Sequence, residues 1–508
     1  MEQLKHKTYD SEFCGNLPIH LINVIQSYGA LIVLAKENLN IIQVSVNIET
    51  VLGLQAEDVV NTELSAYLTA AGLEHFHDKA ATDGSDKTPF VLTIKGIEYW
   101  VILHHTNDYY LLEINFDQEG TGNNSFIDVY QDLKGAIAAI ENCENITDTA
   151  IITARELKKA SGFDKVMIYR FDENWNGHVL AEEREPDMES YLNFTFPASD
   201  IPKPARDLYY RNSYRFIPDR EYKPVKLYPV INPQTQAFID LSDCNIRGVS
   251  AVHIEYLKNM NVTASMSTRI LSAGKLWGLI ACHHKTVKPM SFKVCVIFEL
   301  LSGIISSKIN ALTKNEKLSL TNRLKDIYSS IVEQIFRSRD LSGPALSGAP
   351  EILQLFSAGG AVIAHRGERV TIGKTPLSHE IDDLMLWVVA KKITRPYSTD
   401  SLAREFDGAH QYRSVGSGLL AIPINSGLSE FILIFRPEVL QITDWGGDPE
   451  QRIVFEDDMK TYHPRFSFKL WRQQISGVSL SWKAEELQVA TQLQSFIQDH
   501  FSYNTDNK

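Results

Sequence analysis

Four side chains able to bind an anion or move a proton recur at intervals of three in the segment RGVSAVHIEY. They are Arg247, Ser250, His253 and Tyr256. Guanidinium forks suit carboxylates, and imidazole and phenol groups both donate and accept hydrogen bonds. In a regular α-helix a spacing of three residues drifts by about 60° per step, so one narrow stripe cannot hold all four. The segment could instead wrap around a large ligand.

A predicted hairpin, TASMSTRILSAGKLWGLIACHHK, adds two hydroxyls and another imidazole. Side chains alternate between the two faces of a strand, so Ser265 and Ser267 share one face. In the next strand, Leu279, Ala281 and His283 share a face for the same reason. The hydroxyls and the imidazole could therefore converge on one cavity.

One carboxylate, Asp200, is enclosed by two prolines in FPASDIPKPARDLYY. Asp shortly before Pro202 is a common helix N-cap, so a purely structural role is open. Arg215 follows this helix, and neither it nor Arg247 has an evident acidic partner in its own segment. A lone arginine most often forms a surface ion pair, and a lone histidine usually lies satisfied in a core. Only the combination of these residues favours a ligand site.

Three successive modules of sheet and helix would position these side chains. The first contains predicted strands up to about Phe116 and is followed by a polar linker, DQEGTGNNS. The second contains the hairpin and leads into helical spacing from about Ser291 to Phe336. The third begins near Leu346, has strand pairs in AVIAHRGERVTIGK and LLAIPINSGLSEFILIFRPEV, and ends in a helix. Because the strands do not alternate with helices as in a parallel sheet, this order predicts an α+β protein.

Length, charge and composition limit the class of protein. A chain of 508 residues exceeds the size at which single cores stop growing, so roughly two to four domains are expected. A hydrophobic content of 44% is typical of soluble proteins, and a net charge of −13 argues against nonspecific nucleic-acid or membrane binding. MEQLKHKTYD lacks the core of a signal peptide, and the apolar run CVIFELLSGIISS is interrupted by Glu299 and short for a bilayer. We predict a cytoplasmic protein without nucleic-acid or membrane partners.

Five segments together resemble the phytochrome family. FPASDIP, RGVSAVHIEYLKNM and GKLWGLIACHH resemble the chromophore-binding domain of phytochromes, and DWGGDPE and HPRFSF resemble the hairpin tongue of their third domain. The resemblance, to a bacteriophytochrome photosensory core, covers essentially the whole chain. It implies a PAS domain with the attachment segment at 1–120, a bilin-binding GAF domain at 121–315, and a PHY domain at 316–508 with its tongue at 436–480. A long helix would join the domains.

The resemblance also implies a pigment, biliverdin, and the residue that attaches it. Family members that bind more reduced bilins carry Cys directly before the GAF histidine, His253, but Val252 occupies that place here. Cys14 instead stands shortly before Pro18-Ile19-His20, as in bacterial members that use biliverdin. Cys14 is therefore the implied thioether donor to the ring A vinyl group. The five cysteines form no CxxC pair, so neither a disulfide framework nor a metal site is predicted.

By the same resemblance, the polar residues described above contact the pigment. The main-chain carbonyl of Asp200 and an ordered water near His253 would satisfy pyrrole N–H groups, and both residues would keep the bilin protonated. The two arginines would bind one propionate. Ser265 and Ser267, helped by His283, would bind the other propionate, and aromatic side chains would surround ring D. The complete set of implied contacts is Cys14, Tyr169, Phe196, Asp200, Ile201, Tyr209, Arg215, Arg247, Ser250, His253, Tyr256, Ser265, Ser267 and His283.

The implied function is red/far-red light sensing by Z/E isomerisation of the bilin. In the red-absorbing state, Arg465 would pair with Asp200, and after isomerisation a refolded tongue would bring Ser467 to the same carboxylate. The signal would pass through the tongue and helices to a histidine kinase or other output domain that is not present here. The chain itself would then be a sensory module and not an enzyme. Apolar stripes on the long helix and the final helix suggest a homodimer.

Two other classes of protein remain open on the residues alone. A tandem PAS/GAF sensor of a small anion, such as a cyclic nucleotide, would use the arginines equally well. An enzyme could use His253 and Asp200 as acid and base, although the sequence identifies no group that would stabilise a substrate. The sequence also lacks the GxxxxGK[ST], GxGxxG, HExxH and GxSxG motifs.

Overall fold

The computed structural model describes residues 19–81, 87–117, 126–289, 291–338, 351–425, 427, 429–449, 453–455, 462–464 and 467–502. The chain divides into two compact units. Unit 1 comprises the residues up to Thr313 together with Asp444–Trp471, and unit 2 comprises Lys314–Thr443 together with the residues from Arg472 onward. Both units contain helices and antiparallel sheets, which confirms the predicted α+β class.

Helices and strands are numbered in chain order. The helices are α1 (Glu49–Leu52), α2 (Ala56–Val59), α3 (Ala70–Ala80), α4 (Phe126–Glu141), α5 (Ile146–Ser161), α6 (Lys203–Arg211), α7 (Ala251–Asn259), α8 (Phe292–Ser338), α9 (Glu351–Leu355), α10 (Ser378–Ala390), α11 (Arg413–Gly416) and α12 (Ala484–Ser502). The strands are β1 (Val24–Ile25), β2 (Gly29–Ala35), β3 (Ile41–Ser45), β4 (Lys87–Ile94), β5 (Ile97–His105), β6 (Tyr109–Asn115), β7 (Lys165–Phe171), β8 (Gly177–Arg184), β9 (Thr195–Phe196), β10 (Tyr214–Ile217), β11 (Val225–Tyr228), β12 (Ala264–Ser272), β13 (Lys275–His284), β14 (Gly360–His365), β15 (Glu368–Gly373), β16 (Tyr397–Thr399), β17 (Gly418–Asn425), β18 (Glu430–Arg436), β19 (Gln441–Gly446), β20 (Ile453–Phe455), β21 (Tyr462–Pro464) and β22 (Leu470–Ile475).

The first sheet of unit 1 has the order β1-β11-β3-β2-β6-β5-β4. The strand pattern predicted a sheet that is complete by about Phe116, and this prediction is wrong. Strand β11 comes from much later in the chain and pairs with β3, where Leu227 lies opposite Ser45. On its other edge, Lys226 lies opposite Val24 of β1. Hydrophobic periodicity reports only local structure, so it cannot reveal a strand supplied from so far along the chain.

The second sheet of unit 1 separates a helical layer from the candidate site. Its order is β10-β12-β13-β7-β8-β9, continued by β19 and β22. Met266 and Ile280 belong to the fully buried core that also contains residues of α4, α5 and α8. The predicted β12–β13 hairpin is confirmed, with Ala273 and Gly274 in the turn at φ of 51° and 74°. The alternate residues of β12 and β13 therefore project to the opposite face.

Helix α8 confirms the helical spacing predicted from about residue 291 to 336. By length and composition it could cross a membrane, with an apolar window of mean hydropathy 1.5 inside Val294–Arg337. Within unit 1, however, Phe298, Leu301 and Ile305 of this helix are buried in the hydrophobic core. A core helix of a soluble protein passes the same test of composition.

Unit 2 is built on the sheet β15-β14-β18-β17-β16. Both strand pairs predicted for the third module are confirmed, as is the final helix, α12. A buried ion pair joins this helix to the sheet, because Arg436 Nη2 donates to Glu486 Oε1 at 2.6 Å. The same guanidinium lies 3.8 Å from the centre of the Trp482 ring.

The described parts of the tongue segment contain β-strands. Strands β20 and β21 form an antiparallel pair, and Gly447 N donates to Lys469 O at 2.9 Å. FKLWRQQI has a helix-compatible composition, but its last six residues, Leu470–Ile475, form strand β22. Gly447, at φ of 100°, has a backbone conformation that favours glycine.

Candidate functional site

Unit 1 contains a cavity of about 780 Å³ that is bounded by the free face of the second sheet, by the segment at 196–202, and by α6 and α7. This volume suits a large organic ligand. Thirteen of the fourteen residues predicted as contacts line the cavity, and the remaining one, Cys14, lies outside the described residues. The thirteen are Tyr169, Phe196, Asp200, Ile201, Tyr209, Arg215, Arg247, Ser250, His253, Tyr256, Ser265, Ser267 and His283.

Asp200 ends a short 3-10 helix, Ala198–Asp200, and does not cap helix α6. The N-cap of α6 is Pro202, for which no side-chain capping bond is present among the described residues. The Asp200 carboxylate instead accepts a hydrogen bond from Tyr256 Oη at 2.9 Å. The alternative interpretation of Asp200 as a helix cap is therefore wrong, and its carboxylate is directed toward the cavity.

The residues spaced by threes do not share a helix. Arg247 precedes α7, and Ser250 is the N-cap, whose Oγ accepts from His253 N at 3.4 Å. Only His253 and Tyr256 lie on α7, where their rings stack at 6.1 Å with an angle of 9°. Burial and the nearby cation of Arg215 lower the pKa of His253 to about 4. The imidazole is therefore neutral at physiological pH.

Two arginines direct positive charge toward the cavity. Arg215 donates to the main-chain oxygens of Asn245 at 2.9 Å and Gly248 at 2.8 Å. Arg247, which is 7% exposed, donates to two further main-chain oxygens at 3.4 Å. Among the described residues, neither guanidinium has a carboxylate within 4.0 Å, so the surface ion pair expected of a lone arginine is absent. Burial, followed by the charge of Arg215, lowers the pKa of Arg247 to about 9. A bound anion would stabilise this buried cation, so the position favours an anionic ligand.

The hairpin carries its polar side chains on the cavity face, as its alternation predicted. Ser265 lies opposite His283 in the β12–β13 register, and Ser267 Oγ is 2.5 Å from Tyr209 Oη. His283 Nδ1 is buried and has no hydrogen-bond partner in the part of the chain that the structure describes. Burial, then the charges of Lys165 and His253, lower the pKa of His283 to about 3. A buried ring nitrogen of this kind can still bind a ligand.

Aromatic rings close one end of the cavity. Phe196 lies 6.1 Å from Tyr169 and 5.5 Å from Tyr191, measured between ring centres. The Tyr169 ring packs directly on the main chain of Gly177, where a Cβ atom would lie 1.6 Å from Cε1 of the ring. Gly177 is thus required for the position of Tyr169.

We predict that Gly177→Ala displaces the Tyr169 ring and destabilises unit 1 by about 1–3 kcal/mol, the usual cost of overpacking. Urea unfolding followed by circular dichroism measures this change. Gly135→Ala on α4 is the matched control, because a Cβ there has no neighbour within 4 Å among the described atoms. Equal stability of the two variants would contradict the assigned packing.

Tongue residues in unit 1 contact the cavity wall. The Phe468 ring meets the Tyr256 ring edge-on at 5.1 Å, and Pro464 lines the cavity itself. A Cβ atom on Gly446 would lie 2.8 Å from the Phe196 ring, so this glycine permits close packing of the tongue on the aromatic end. Ser467 is exposed and does not line the cavity, and Arg465 lies outside the described residues.

Sequence reasoning missed several lining residues. Ile19, Leu21 and Ile22 of the N-terminal segment enter the cavity wall, as does Tyr191 from the loop before β9. Apolar residues in irregular segments carry no periodic signal, which explains the omission. For Ile19, Leu21 and Ile22, closeness in sequence to Cys14 was the one available indication.

Family profiles match three consecutive parts of the chain. The PAS fold matches residues 14–116, the GAF domain matches residues 145–309, and the phytochrome region matches residues 324–506. The cavity described above lies largely within the second of these regions. The predicted limits of the three domains, which are wider, stay a prediction.

The chain is similar to phytochromes from several organisms. It is 37% identical to cyanobacterial phytochrome B of Nostoc sp. over 96% of this chain and 66% of the relative, and 30% identical to a bacteriophytochrome of Pseudomonas aeruginosa over 94% of this chain and 65% of the relative. The chain thus spans slightly less than two thirds of these relatives.

Solved structures agree. The crystal structure of bacteriophytochrome RpBphP3 from R. palustris has a TM-score of 0.82 at 30% identity, covering 96% of this chain and 99% of that one. The photosensory core module of a Stigmatella aurantiaca phytochrome has a TM-score of 0.80 at 29% identity, covering 97% of this chain and 99% of that one. The chain belongs to the phytochrome family, and its PAS, GAF and PHY regions form a photosensory core.

Proposed function

We propose that the chain is a red/far-red photosensory core that binds biliverdin in the cavity of unit 1 through a thioether to Cys14. The observation that carries the proposal is the cavity of about 780 Å³, in which thirteen residues expected to contact a bilin meet. The polar residues lie apart in sequence and converge only in the fold. This convergence favours one large ligand over the small anion of the alternative sensor.

The charges of the cavity suit the two propionates of a bilin. Arg215 and Arg247 offer guanidinium groups whose acceptors among the described residues are main-chain oxygens, so both can bind a carboxylate. Ser265, Ser267 and His283 offer a second polar set on the sheet face, and Nδ1 of His283 has no hydrogen-bond partner among the residues that the structure describes. The cationic and neutral sets would hold different propionates.

The opposite side of the cavity suits the pyrrole nitrogens. Burying polar N–H groups without acceptors costs several kcal/mol, so the cavity must supply acceptors. We assign this role to the main chain and carboxylate of Asp200 and to His253, whose low pKa leaves its imidazole neutral. The Asp200–Tyr256 bond of 2.9 Å ties the same carboxylate to the aromatic end.

A bound bilin supplies light absorption and a double bond that isomerises between Z and E. Tyr169, Phe196 and Tyr256 would surround the ring that turns, and Ile201, Tyr209 and Ser250 would complete the contacts. These side chains would exclude water from one side of the turning ring, and Tyr256 contacts Phe468 of the tongue. A movement of the ring can therefore reach the tongue.

We predict that light changes hydrogen exchange in residues 444–475 of the tongue. Arg465 would pair with Asp200 in the red-absorbing state, and Ser467 would approach the same carboxylate after the tongue refolds. Mass spectrometry of dark and illuminated protein measures the exchange, with β12–β13 peptides as an internal control and Arg465→Ala expected to reduce the difference. Identical tongue protection in a photoconverting protein would contradict the switch.

The remaining parts of the proposal concern the whole protein. We assign the chain a cytoplasmic, sensory role without enzymatic activity of its own, dimerisation through α8 and α12, and signal transfer to an output domain such as a histidine kinase. The exposed Leu318 and Phe336 on α8 support an interface there.

Mixing the purified chain with biliverdin tests the proposal. We expect a red-absorbing band that red light converts and far-red light restores. A colourless protein, or a band that does not photoconvert, would overturn the proposal. A colourless protein whose unfolding midpoint rises with a cyclic nucleotide would support the anion sensor instead.

A further inference from the structure

A buried ion pair lies behind the aromatic end of the cavity. Lys165 on β7 is 1% exposed, and its Nζ lies 3.7 Å from Glu182 Oε1 on β8. The ammonium also donates to the main-chain oxygen of Glu189 at 2.6 Å. Neither Lys165 nor Glu182 lines the cavity itself. The pair is therefore outside the set of residues assigned to the pigment.

The pair holds Tyr191, which does line the cavity. Lys165 Nζ lies 3.8 Å from the centre of the Tyr191 ring, within cation–π distance. Glu182 Oε1 accepts from Tyr191 N at 2.9 Å, and Oε2 accepts from Ser190 Oγ at 2.6 Å. The Glu182 carboxylate, which Arg184 Nε also approaches to 3.4 Å, thus fixes the main chain at Tyr191. Lys165 fixes the ring.

The Tyr191 ring packs against the aromatic residues of the cavity wall. It meets Phe196 edge-on at 5.5 Å, and Phe196 in turn contacts Tyr169 at 6.1 Å. Tyr191 is only 3% exposed, so a shift of its ring must displace these neighbours.

We propose that Lys165 and Glu182 form a protonation-sensitive positioning pair, and that the aromatic end of the cavity loosens when Lys165 loses its proton. The pair acts through Tyr191. The expected change in photoconversion rests on the proposed function. The loss of the Lys165 proton does not, because it takes place in the protein without pigment as well.

The charges around Lys165 set where it titrates. Burial lowers the pKa of Lys165 to about 8, against the opposing effects of Glu182 and Glu189 and with a further lowering by Arg184. On the other neighbouring strand, β13, His283 lies opposite Lys165 and stays neutral, because burial and the Lys165 charge lower the pKa of His283. Lys165 therefore loses its proton at a mildly alkaline pH, far below the usual range for lysine.

Arginine at this position gives a matched control. The guanidinium keeps a positive charge and its stacking on an aromatic ring, and it does not lose its proton at accessible pH. With biliverdin bound, we expect the extent of photoconversion of the wild type to change around pH 8, and the extent for Lys165→Arg to stay level from pH 6.5 to 9.5. The same pH curve for both proteins would overturn the inference.

A second pair of variants tests whether Lys165 acts through Tyr191. In a Tyr191→Leu background, which lacks the ring, Lys165→Arg should no longer alter the pH curve. A Lys165→Arg effect of undiminished size in that background would overturn the role of Tyr191.

Unfolding of the pigment-free protein provides a readout that does not depend on biliverdin. The folded pKa of Lys165, about 8, lies below its unfolded value near 10.5, so the unfolded state binds more protons between these pH values. The stability of the wild type should therefore rise relative to Lys165→Arg as pH increases from 8 to 10. A constant difference would overturn the inference, whereas a failure to bind biliverdin alongside a rising difference would count only against the proposed function.

Discussion

Replacing Cys14 by serine is expected to abolish covalent attachment completely while leaving binding in the cavity. A thioether needs a thiolate nucleophile, which serine cannot supply, whereas the cavity contacts recognise the pigment independently. On a denaturing gel soaked in zinc, the wild type should fluoresce and Cys14→Ser should not. In native buffer both proteins should be coloured.

The other cysteines support this choice. Cys143, Cys244, Cys282 and Cys295 are all buried, and none of these described cysteines lines the cavity. Burial raises the pKa of Cys295 to about 12 and also raises the pKa values of Cys244 and Cys282, so their thiolate forms are scarce.

The length of chain before Ile19 is compatible with attachment at Cys14. Cys14 precedes Ile19, a lining residue, by five positions, and an extended chain of that length covers no more than about 18 Å. Cys143→Ser is the matched control and should keep full gel fluorescence. Fluorescence of Cys14→Ser after denaturation would mean that another cysteine attaches the pigment.

Removing the carboxylate of Asp200 is expected to leave pigment binding intact and to impair photoconversion. Tyr256 Oη would lose its acceptor at 2.9 Å, and a hydrogen bond to a charged group contributes about 1.5–3 kcal/mol. We expect Asp200→Ala to lower the photoproduct fraction, because the carboxylate that Ser467 would approach after the tongue refolds is missing. Illuminated difference spectra at neutral pH measure the fraction.

Two further variants separate the effect of the Asp200 hydrogen bond from the effect of its charge and test the role of His253. Asp200→Asn keeps an acceptor for Tyr256 without the charge, so it should retain more photoproduct than Asp200→Ala if the hydrogen bond dominates. His253→Ala should show the same fault as Asp200→Ala, because we assign both residues to the pyrrole N–H groups. Full, reversible conversion in both alanine variants would contradict their assigned roles.

Local rules explain which parts of the site could be predicted. The alternation of β12 and β13 placed Ser265, Ser267 and His283 on one face because strand geometry depends only on neighbouring residues. The segment around Arg247 and Ser250 could not be placed by helical spacing, since the helix begins only after Ser250. Whether Asp200 caps a helix was equally undecidable, because its partner, Tyr256, lies far away in sequence.

The features that could not be predicted depend on partners that are distant in sequence. Neither the insertion of β11 beside β3 nor the entry of Ile19 into the cavity wall leaves a periodic mark in the sequence. The contact between Phe468 of the tongue and Tyr256 is of the same kind. For these features the resemblance to a family carried information that hydrophobic patterns do not contain.

The pairing of β1 with β11 has a consequence for synthesis on the ribosome. Val24 meets Lys226, which is translated about 200 residues later, so the first sheet must wait with an unpaired edge at β3 while the chain grows. Nascent chains that stop before residue 225 would carry that edge exposed to other strands. A fragment holding only the first domain should consequently aggregate during translation, whereas one extended through β13 should emerge soluble.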